Sequence, residues 1–592
     1  MNSNKVKEKS FKILFAFTAA LCIVAVIAIF AFLIIKSVPT FRRIGFFEFI
    51  FGKEWKPNVD DGFTGEIKGK YGVFKMIIGT IVATLGSVIV GGVLGFFTAV
   101  FISKFCPKKL KGAFVTVINL LAGIPSVIFG FFGMVVLLPK LGVFSETGSG
   151  SGLLAVSLVL GLMILPTVVS LSKTSIDAVP DSYYEGARAL GATHEQAVFR
   201  AVVPAAKSGI VASIILGIGR AVGETMAVIM VAGNVVEYPK GLFQSFRVLT
   251  ANIVMEMGYA GDLQLGALIS TGVVLLLFIL IINLLTGLVT SGGKKDKTHK
   301  KRSIEPLAKF FHAIKIEKIG KIVAYVAAVI ASIGLISIIL FVCVNGIPHL
   351  TTQLLFGKYS VRNISIFPAI VTTLMTVGIS LVIAVPIGVF TAIFLNEYSK
   401  KGSKVVRIIR SAIDILAGVP SIVYALFGMV TFVAWFNGRQ SILAGSLTIA
   451  IMLLPTVVRS TEESLKSVSD TLREGSLALG AGKVRTIFKV VLPSALPGIA
   501  SAIILAMGRV VSESAPFVYT MGNCLTTMPK GVMSDGTTLA VALYTLAGEG
   551  QYLNEAYATA FVLLVIVLAL NLLANLITKK LDKKLKGSKN GK

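Results

Sequence analysis

The sequence predicts an all-α integral membrane protein of about twelve transmembrane helices, built as two homologous six-helix halves. Three features predict it: the composition, the recurrence of long apolar runs, and an internal repeat. Hydrophobic residues make up 55% of the 592 residues and charged residues 15%, whereas soluble domains carry about 25% charged residues. Runs long enough to cross a hydrocarbon core of about 30 Å lie near 13–35, 73–102, 113–138, 152–172, 209–233, 263–290, 321–345, 369–395, 411–436, 441–458, 498–519 and 557–578.

The distribution of positive charge predicts the orientation. If both termini are cytoplasmic, the inside segments carry 40 of the 57 lysines and arginines, which is the positive-inside pattern. The net charge of +28 therefore predicts a basic surface that contacts anionic membrane lipid, and we expect no nucleic-acid partner. We expect a multi-pass protein of the plasma or inner membrane with both termini in the cytoplasm.

An internal repeat divides the chain. A shift of 289 places Glu185–Val228 on Glu474–Phe517 without a gap, and 19 of the 44 positions are identical. Upstream, LAGIPSVIFGFFGM from Leu121 corresponds to LAGVPSIVYALFGM from Leu416. The two copies contain equal, even numbers of spans, so they enter the membrane with the same orientation as a parallel tandem repeat.

The repeat predicts the domain boundaries. We expect a first half at residues 1–295, a basic cytoplasmic linker at 296–320 and a second half at 321–592. The polar stretch KKDKTHKKR spans the start of this linker, which suits a segment that joins two ancestral polypeptides.

A cytoplasmic loop recurs in both halves. It reads DSYYEGARALGATHEQAVFRAVVPAAK at 181–207 and DTLREGSLALGAGKVRTIFKVVLPSALP at 470–497. Helix formers are followed by a glycine, Gly191 or Gly480, and then by a second short helical stretch that leads to proline. The pattern predicts a helix, a turn and a helix on the membrane surface. A plain amphipathic connector is the alternative.

An arginine and a glutamate stand four residues apart within an apolar span of each half, Arg220 with Glu224 and Arg509 with Glu513. This spacing places both side chains on one helix face. A charge in the bilayer costs about 2.5–3.5 kcal/mol on insertion scales, so such residues face the bundle interior or a wet cavity. We predict that they line a substrate pathway and that both arginines approach the axis between the halves. A structural ion pair is the alternative.

The two loops resemble the "EAA" signature of bacterial ATP-binding cassette (ABC) importer permeases, a loop that binds in a groove of the ATP-hydrolysing subunit. Gly186 and Gly475 replace the first alanine of that signature. The resemblance implies the ABC importer permease fold. It also assigns contact with the ATPase to the following loop residues: Glu185, Gly186, Ala187, Gly191 and Pro204 in the first half, and Glu474, Gly475, Ser476, Gly480 and Pro493 in the second.

Each half further resembles one of the two permease subunits of the high-affinity phosphate-uptake system. The matching segments are GIPSVIFGFFG, LPTVVSLSKTSIDAVPDSYYEGARALGAT and GRAVGETMAV in the first half, and GVPSIVYALFG, LPTVVRSTEESLKSVSDTLREGSLALGA and GRVVSESAPF in the second. Those subunits are usually separate chains, so a gene fusion is the main departure. The resemblance implies that Arg220, Glu224 and Arg509 act in phosphate passage, and the internal repeat adds Glu513.

The resemblance implies inorganic phosphate import driven by two copies of an ABC ATPase, with an extracytoplasmic phosphate-binding protein delivering the substrate. Phosphonate, sulfate and molybdate remain alternative substrates, since an arginine fork suits any of these anions. An ion-coupled secondary transporter and a passive anion channel are rival classes. We expect a transport subunit rather than an enzyme, with no catalytic residue, metal or cofactor. GAGK at Gly480–Lys483 lacks the first glycine and the final Ser or Thr of a P-loop.

Overall fold

The computed structural model describes residues 2–57, 69–146, 148–291, 316–360, 363–399, 403–525 and 528–587, and the chain is mainly helical there. The first-half helices are α1 (Asn2–Ile44), α2 (Phe46–Phe51), α3 (Phe74–Phe105), α4 (Lys108–Ala122), α5 (Ser126–Gly142), α6 (Leu153–Asp177), α7 (Asp181–Ala189), α8 (His194–Ala205), α9 (Lys207–Gly223), α10 (Met226–Val231), α11 (Leu249–Glu256) and α12 (Asp262–Ser291). A short antiparallel pair, β1 (Trp55–Lys56) and β2 (Lys70–Tyr71), precedes α3.

The second half repeats this order. Its helices are α13 (Ile316–Gly346), α14 (Thr352–Phe356), α15 (Phe367–Tyr398), α16 (Lys404–Gly418), α17 (Ser421–Val433), α18 (Ile442–Lys466), α19 (Asp470–Ala478), α20 (Lys483–Ser512), α21 (Ala515–Thr520), α22 (Leu539–Glu549) and α23 (Leu553–Gly587). Residues 296–315 of the predicted linker lie outside the described residues, and its last five residues, 316–320, open α13.

Within the described residues, nine helices are long and apolar enough to cross a membrane, or eleven if each of two bent pairs counts as one span. The all-α membrane prediction is therefore confirmed. The predicted span at 113–138 is two helices, α4 and α5, because Pro125 stands at the break with ψ 140°. The corresponding pair in the second half, α16 and α17, is bent by 98° at Val419 and Pro420. A proline disfavours helical geometry in the residue before it, so the duplicated motif breaks the helix.

The chain packs as two compact units whose membership differs from the halves of the sequence. One unit contains Phe46–Met255 and Val274–Val344, and the other contains Met1–Gly45, Glu256–Val273 and Asn345–Lys592. The first helix of each half thus belongs to the unit formed mainly by the other half. The predicted boundary at 296–320 stays a prediction about homologous halves, while packing exchanges their first helices.

Contacts of α1 illustrate this exchange. Cys22 Sγ lies 3.5 Å from Thr391 Oγ1 of α15, and the Phe32 ring meets Phe427 of α17 edge-on at 5.7 Å. In the other unit, Phe341 of α13 meets the Phe132 ring of α5 edge-on at 5.4 Å. Phe132 and Phe427 occupy the same place in the repeat, so the two first helices use the same docking position.

A cysteine at position 391 should form a disulfide with Cys22, because the two side-chain tips are 3.5 Å apart and sulfur atoms at such sites can reach bonding geometry. We expect that the Thr391→Cys chain, cut at a protease site engineered within 296–310, stays joined until it is reduced. Ser380→Cys is the matched control, because it lies on the same helix about 16 Å away. Separation of the oxidised fragments would refute the packing of α1 on α15.

Candidate functional site

The first-half arginine is held by a threonine of a neighbouring helix. Arg220 lies in the last turn of α9, is half-buried, and donates from Nη1 to Thr167 Oγ1 at 3.0 Å. Thr167 follows Pro166 inside α6, at a position where the helix lacks one backbone donor. The guanidinium therefore meets a polar group within an apolar bundle, as a charge in lipid requires.

The second half repeats this arrangement. Arg509 Nη1 donates to Thr456 Oγ1 at 3.3 Å, and Thr456 follows Pro455 inside α18. Arg509 Nε also lies 3.7 Å from Glu513 Oε1, a loose ion pair whose side chains are 35% and 20% exposed. The duplicated LPTVV segment carries both threonines, so comparison of the halves contained the signal for residues that the sequence prediction left out.

A helix break places each glutamate. The predicted fifth spans at 209–233 and 498–519 are not continuous, since α9 ends at Gly223 and α20 ends at Ser512. Glu224 and Glu513 follow in extended conformation, with ψ 135° and 142°. The chain resumes helical structure after Thr225 and Ser514, residue types that favour helix starts. Each glutamate therefore lies at the break between two helices, and not one turn further along a continuous helix.

The break leaves polar backbone beside each arginine. Glu224 Oε1 accepts from the Ala227 N–H at 3.3 Å, and Thr250 Oγ1 donates to the Glu224 carbonyl at 3.0 Å. Non-helical backbone at membrane depth is tolerated where it is buried in protein or lines a wet cavity. Each half thus offers a guanidinium, a hydroxyl, a carboxylate and an opened backbone, a set of groups suited to weak binding of an anion with several oxygens.

The predicted helix–turn–helix is present in both loops. α7 and α8 flank Gly191, whose φ is +83°, and the turn between α19 and α20 contains Gly480 with φ +80°. Side chains with a Cβ rarely adopt this conformation. Thr193 and Gln196 form a reciprocal capping box at the start of α8. Local residue types therefore fix the loop geometry, which is why the sequence could predict it.

The tips of both loops expose apolar side chains. Leu190 is 91% exposed and its repeat equivalent Leu479 is 90% exposed, and neither α7 nor α19 contains a buried residue. A groove of about 570 Å³ lies beside α19 and is lined by residues that include Leu472, Ser476 and Arg485. Both loop tips therefore leave a leucine at the same repeat position accessible for contact with a partner protein.

The loop residues assigned to ATPase contact differ in exposure. Ala187 and Ser476 are half-buried, as is Pro493. Ser476 Oγ lies 3.0 Å from Thr486 Oγ1, a contact that joins the two helices of the second loop. The remaining assigned residues are exposed: Glu185, Gly186, Gly191, Pro204, Glu474, Gly475 and Gly480.

Each loop is also tied to the end of the second span of its own half, by different chemistry. In the first loop, Tyr184 Oη lies 2.8 Å from His194 Nδ1, and His194 Nε2 lies 3.1 Å from the Lys104 carbonyl. In the second, Arg473 Nε pairs with Glu397 Oε1 at 3.1 Å. Tyr184 and Arg473 are repeat equivalents, but Arg473 contacts the span directly, whereas Tyr184 is connected to it through His194.

Comparison with known proteins assigns the class. Residues 91–292 and 384–587 match the family described as the binding-protein-dependent transport system inner membrane component. These two matches cover more than half of the chain, one in each predicted half, and the chain therefore belongs to this family of multi-pass membrane permease components.

Individual relatives show which members of this family the chain is similar to. A phosphate transport system permease protein PstA homolog of Mycoplasma pneumoniae is 28% identical over 85% of this chain and 84% of its own length. The probable ABC transporter permease protein YqgH of Bacillus subtilis is 38% identical over 45% of this chain and 87% of its own. The phosphate transport system permease protein PstC of Pasteurella multocida is 31% identical over 46% and 91%. The Mycoplasma relative thus aligns across both halves.

Valine at Gly191 and Gly480 should uncouple transport from ATP hydrolysis. A β-branched residue at positive φ costs about 1–3 kcal/mol, and nothing crowds either Cβ position, so only the turn is strained. We expect an assembled complex in which transport per ATP falls several-fold. Gly482→Val is the matched control, since Gly482 has φ −68° in the same loop and should tolerate the change. Normal coupling in the double variant would show that turn geometry is unimportant.

Proposed function

We propose that this chain is the permease of an ABC importer that moves inorganic phosphate into the cytoplasm. The observation that carries the proposal is the polar cluster that both halves share, an arginine hydrogen-bonded to a threonine beside a glutamate at a helix break. Relatives named as phosphate permeases over most of their length support the substrate. The proposal also includes the residues of the substrate pathway and the number of ATPase subunits.

The arginines bind the anion weakly in this mechanism. A charge-assisted hydrogen bond to an anion oxygen is stronger than one to a neutral hydroxyl. The passing anion would therefore displace the threonine contacts of Arg220 and Arg509. The glutamates partly neutralise the arginines between passages, which limits affinity so that the anion can leave. The 3.7 Å separation of Arg509 and Glu513 supports a pair loose enough to be interrupted.

The glutamates also favour phosphate over other oxyanions. At neutral pH phosphate retains at least one P–OH group, which can donate a hydrogen bond, whereas sulfate and molybdate are fully deprotonated. A carboxylate accepts such a bond and repels an anion that has no donor to offer. Glu224 and Glu513 thus supply a basis for discrimination, and phosphonate, which also carries an ionisable OH, is the closest competing substrate.

Two ABC ATPase subunits drive the cycle, each bound at one loop tip through Leu190 or Leu479 and the exposed residues around them. With both termini in the cytoplasm, as the positive-inside distribution supports, both loops lie on the ATP side. A separate extracytoplasmic phosphate-binding protein delivers the substrate, as the dependence of the family on a binding protein supports. The chain itself supplies the pathway and not the nucleotide chemistry.

An ion-coupled secondary transporter is the rival from another class, because Glu224 and Glu513 could carry protons. Under that reading the duplicated, exposed loops have no role. Uptake that needs ATP and the ATPase subunit, and that survives collapse of the ion gradients, would exclude the rival and also a passive channel.

Replacing both arginines by glutamine should abolish most ATP-dependent phosphate uptake. Loss of a hydrogen bond to a charged group costs about 1.5–3 kcal/mol, so we expect about a ten- to hundredfold fall in vesicles that contain the binding protein. Arg220→Lys retains charge without the planar fork. Arg220→Lys should lower phosphate uptake less than Arg220→Gln if charge alone matters, and by the same amount if the planar geometry matters.

The control for this series is Thr456→Val, which removes the hydroxyl partner and keeps the arginine. It should lower uptake less than Arg509→Gln. Complex assembly is checked separately by co-purification of the ATPase. Wild-type uptake by an assembled Arg220→Gln, Arg509→Gln double variant would show that the arginines serve only as structural ion pairs, and the pathway assignment would be withdrawn.

One chain should assemble with two ATPase subunits, because the two halves supply both loops. Native mass measurement on the detergent-solubilised complex tests this stoichiometry. Two copies of the chain per two ATPases would contradict a pathway formed within a single polypeptide.

A further inference from the structure

The first loop is bonded to the first helix of the second half. Glu195 Oε1 of α8 accepts from Lys321 Nζ of α13 at 2.9 Å, and Arg200, one and a half turns further along, pairs with Glu317. Both carboxylates are largely covered, with Glu195 18% and Glu317 13% exposed. Two ion pairs of opposite polarity thus join α8 to one face of α13, since residues 317 and 321 are one turn apart.

An aromatic contact lies between these ion pairs. The ring of Phe199 packs against Gly320, where an added Cβ would lie 2.9 Å from the ring. One turn further along α13, Tyr325 Oη donates to the Phe105 carbonyl at 3.2 Å. The start of α13 therefore fits against the loop and the helix end beneath it, and the glycine makes room for the ring.

The second loop has an equivalent contact with α1. Phe488, the repeat equivalent of Phe199, lies with its ring centroid 5.4 Å from Phe11 and 6.5 Å from Phe15. Phe15 also packs on Tyr398 at 5.6 Å. Aromatic packing replaces the ion pairs of the first loop. In both loops, the helix that leads from the glycine turn toward the membrane touches the first helix of the opposite half of the sequence.

We propose that the first helices are coupling elements, and that Glu195–Lys321 and Arg200–Glu317 transmit movement of the first loop to α13. This inference rests on the proposed ABC permease function. A displacement of α8 has to carry α13 with it or break both ion pairs and the Phe199 contact. The conformational change of each ATPase therefore moves the half that contains the loop and also the first helix of the other half. Lys321 and Glu317 are positioning residues, because they act through the loop and do not touch substrate.

Reversing the charges of the Glu195–Lys321 pair tests whether the pair couples ATP hydrolysis to transport or only stabilises the fold. In proteoliposomes that contain the chain, its ATPase and the binding protein, we measure inorganic phosphate taken up per ATP hydrolysed. Glu195→Lys and Lys321→Glu should each lower this ratio about threefold, in the range of coupling changes caused by single residues, while ATP hydrolysis continues. The double swap should restore the ratio, because it rebuilds the ion pair with reversed polarity.

Lys318→Glu is the matched control, since Lys318 is exposed on the same helix and the substitution makes the same change in net charge. It should leave the ratio unchanged. An equal effect of Lys318→Glu and Lys321→Glu, or a swap that fails to restore coupling, would overturn the proposal. If the reversals prevent assembly, Gly320→Ala provides a milder change, which should displace Phe199 and lower the ratio without removing an ion pair. An unchanged ratio in that variant counts against the proposal.

The wild-type complex distinguishes failure of this inference from failure of the proposed function. Wild-type uptake with unchanged ratios in all variants would refute only the coupling role of α13. A wild-type complex that moves another oxyanion would refute the phosphate assignment, and the ratio would then be measured with that anion. A complex that hydrolyses no ATP would remove both proposals.

Discussion

A guanidinium inside a lipid bilayer is stable only where polar groups surround it, and the middle of each half is organised by that requirement. Helices α9 and α20 each end within one turn of their arginine, the next residues have non-helical backbone, and a neighbouring helix presents a threonine next to a proline. Each of these features is costly in an apolar helix when it stands alone. Together they satisfy one another, so the same interaction that permits the charge also creates a polar place in the bundle.

The loops were predictable because their structure is local. A glycine at the turn of each loop, a Thr–Gln capping box in the first loop and short amphipathic stretches specify the helix–turn–helix through neighbouring residues. The i,i+4 arginine and glutamate were also visible in the sequence. Their geometry was not, because the apolar run resumes directly after Glu224 and Glu513, and such a run does not reveal whether its helix is continuous.

Contacts between distant segments were beyond the sequence for a different reason. Within one half, Thr167 or Thr456 looks like an ordinary small residue of an apolar helix, and only the repeat of LPTVV in both halves distinguishes it. The exchange of the first helices is equally hidden, because residues 13–35 of α1 and 322–344 of α13 carry almost only apolar side chains and could pack against many surfaces. Periodicity predicts that such helices exist and gives no information about their neighbours. The phenylalanines at repeat-equivalent positions, Phe132 and Phe427, are the sequence feature that marks where the first helices pack.

The two halves keep one backbone plan and differ in the side chains that stabilise it. Lys173 pairs with Asp177 near the end of α6, whereas the equivalent positions in α18 are Glu462 and Lys466, with the charges reversed. Hydrogen bonds of His194 hold the first loop, and an ion pair of Arg473 holds the second. In a homodimer, one sequence has to satisfy both sides of a symmetric interface, so such substitutions would appear twice. A fused chain carries each half once, which frees equivalent positions to diverge while the duplicated backbone keeps the two loops alike.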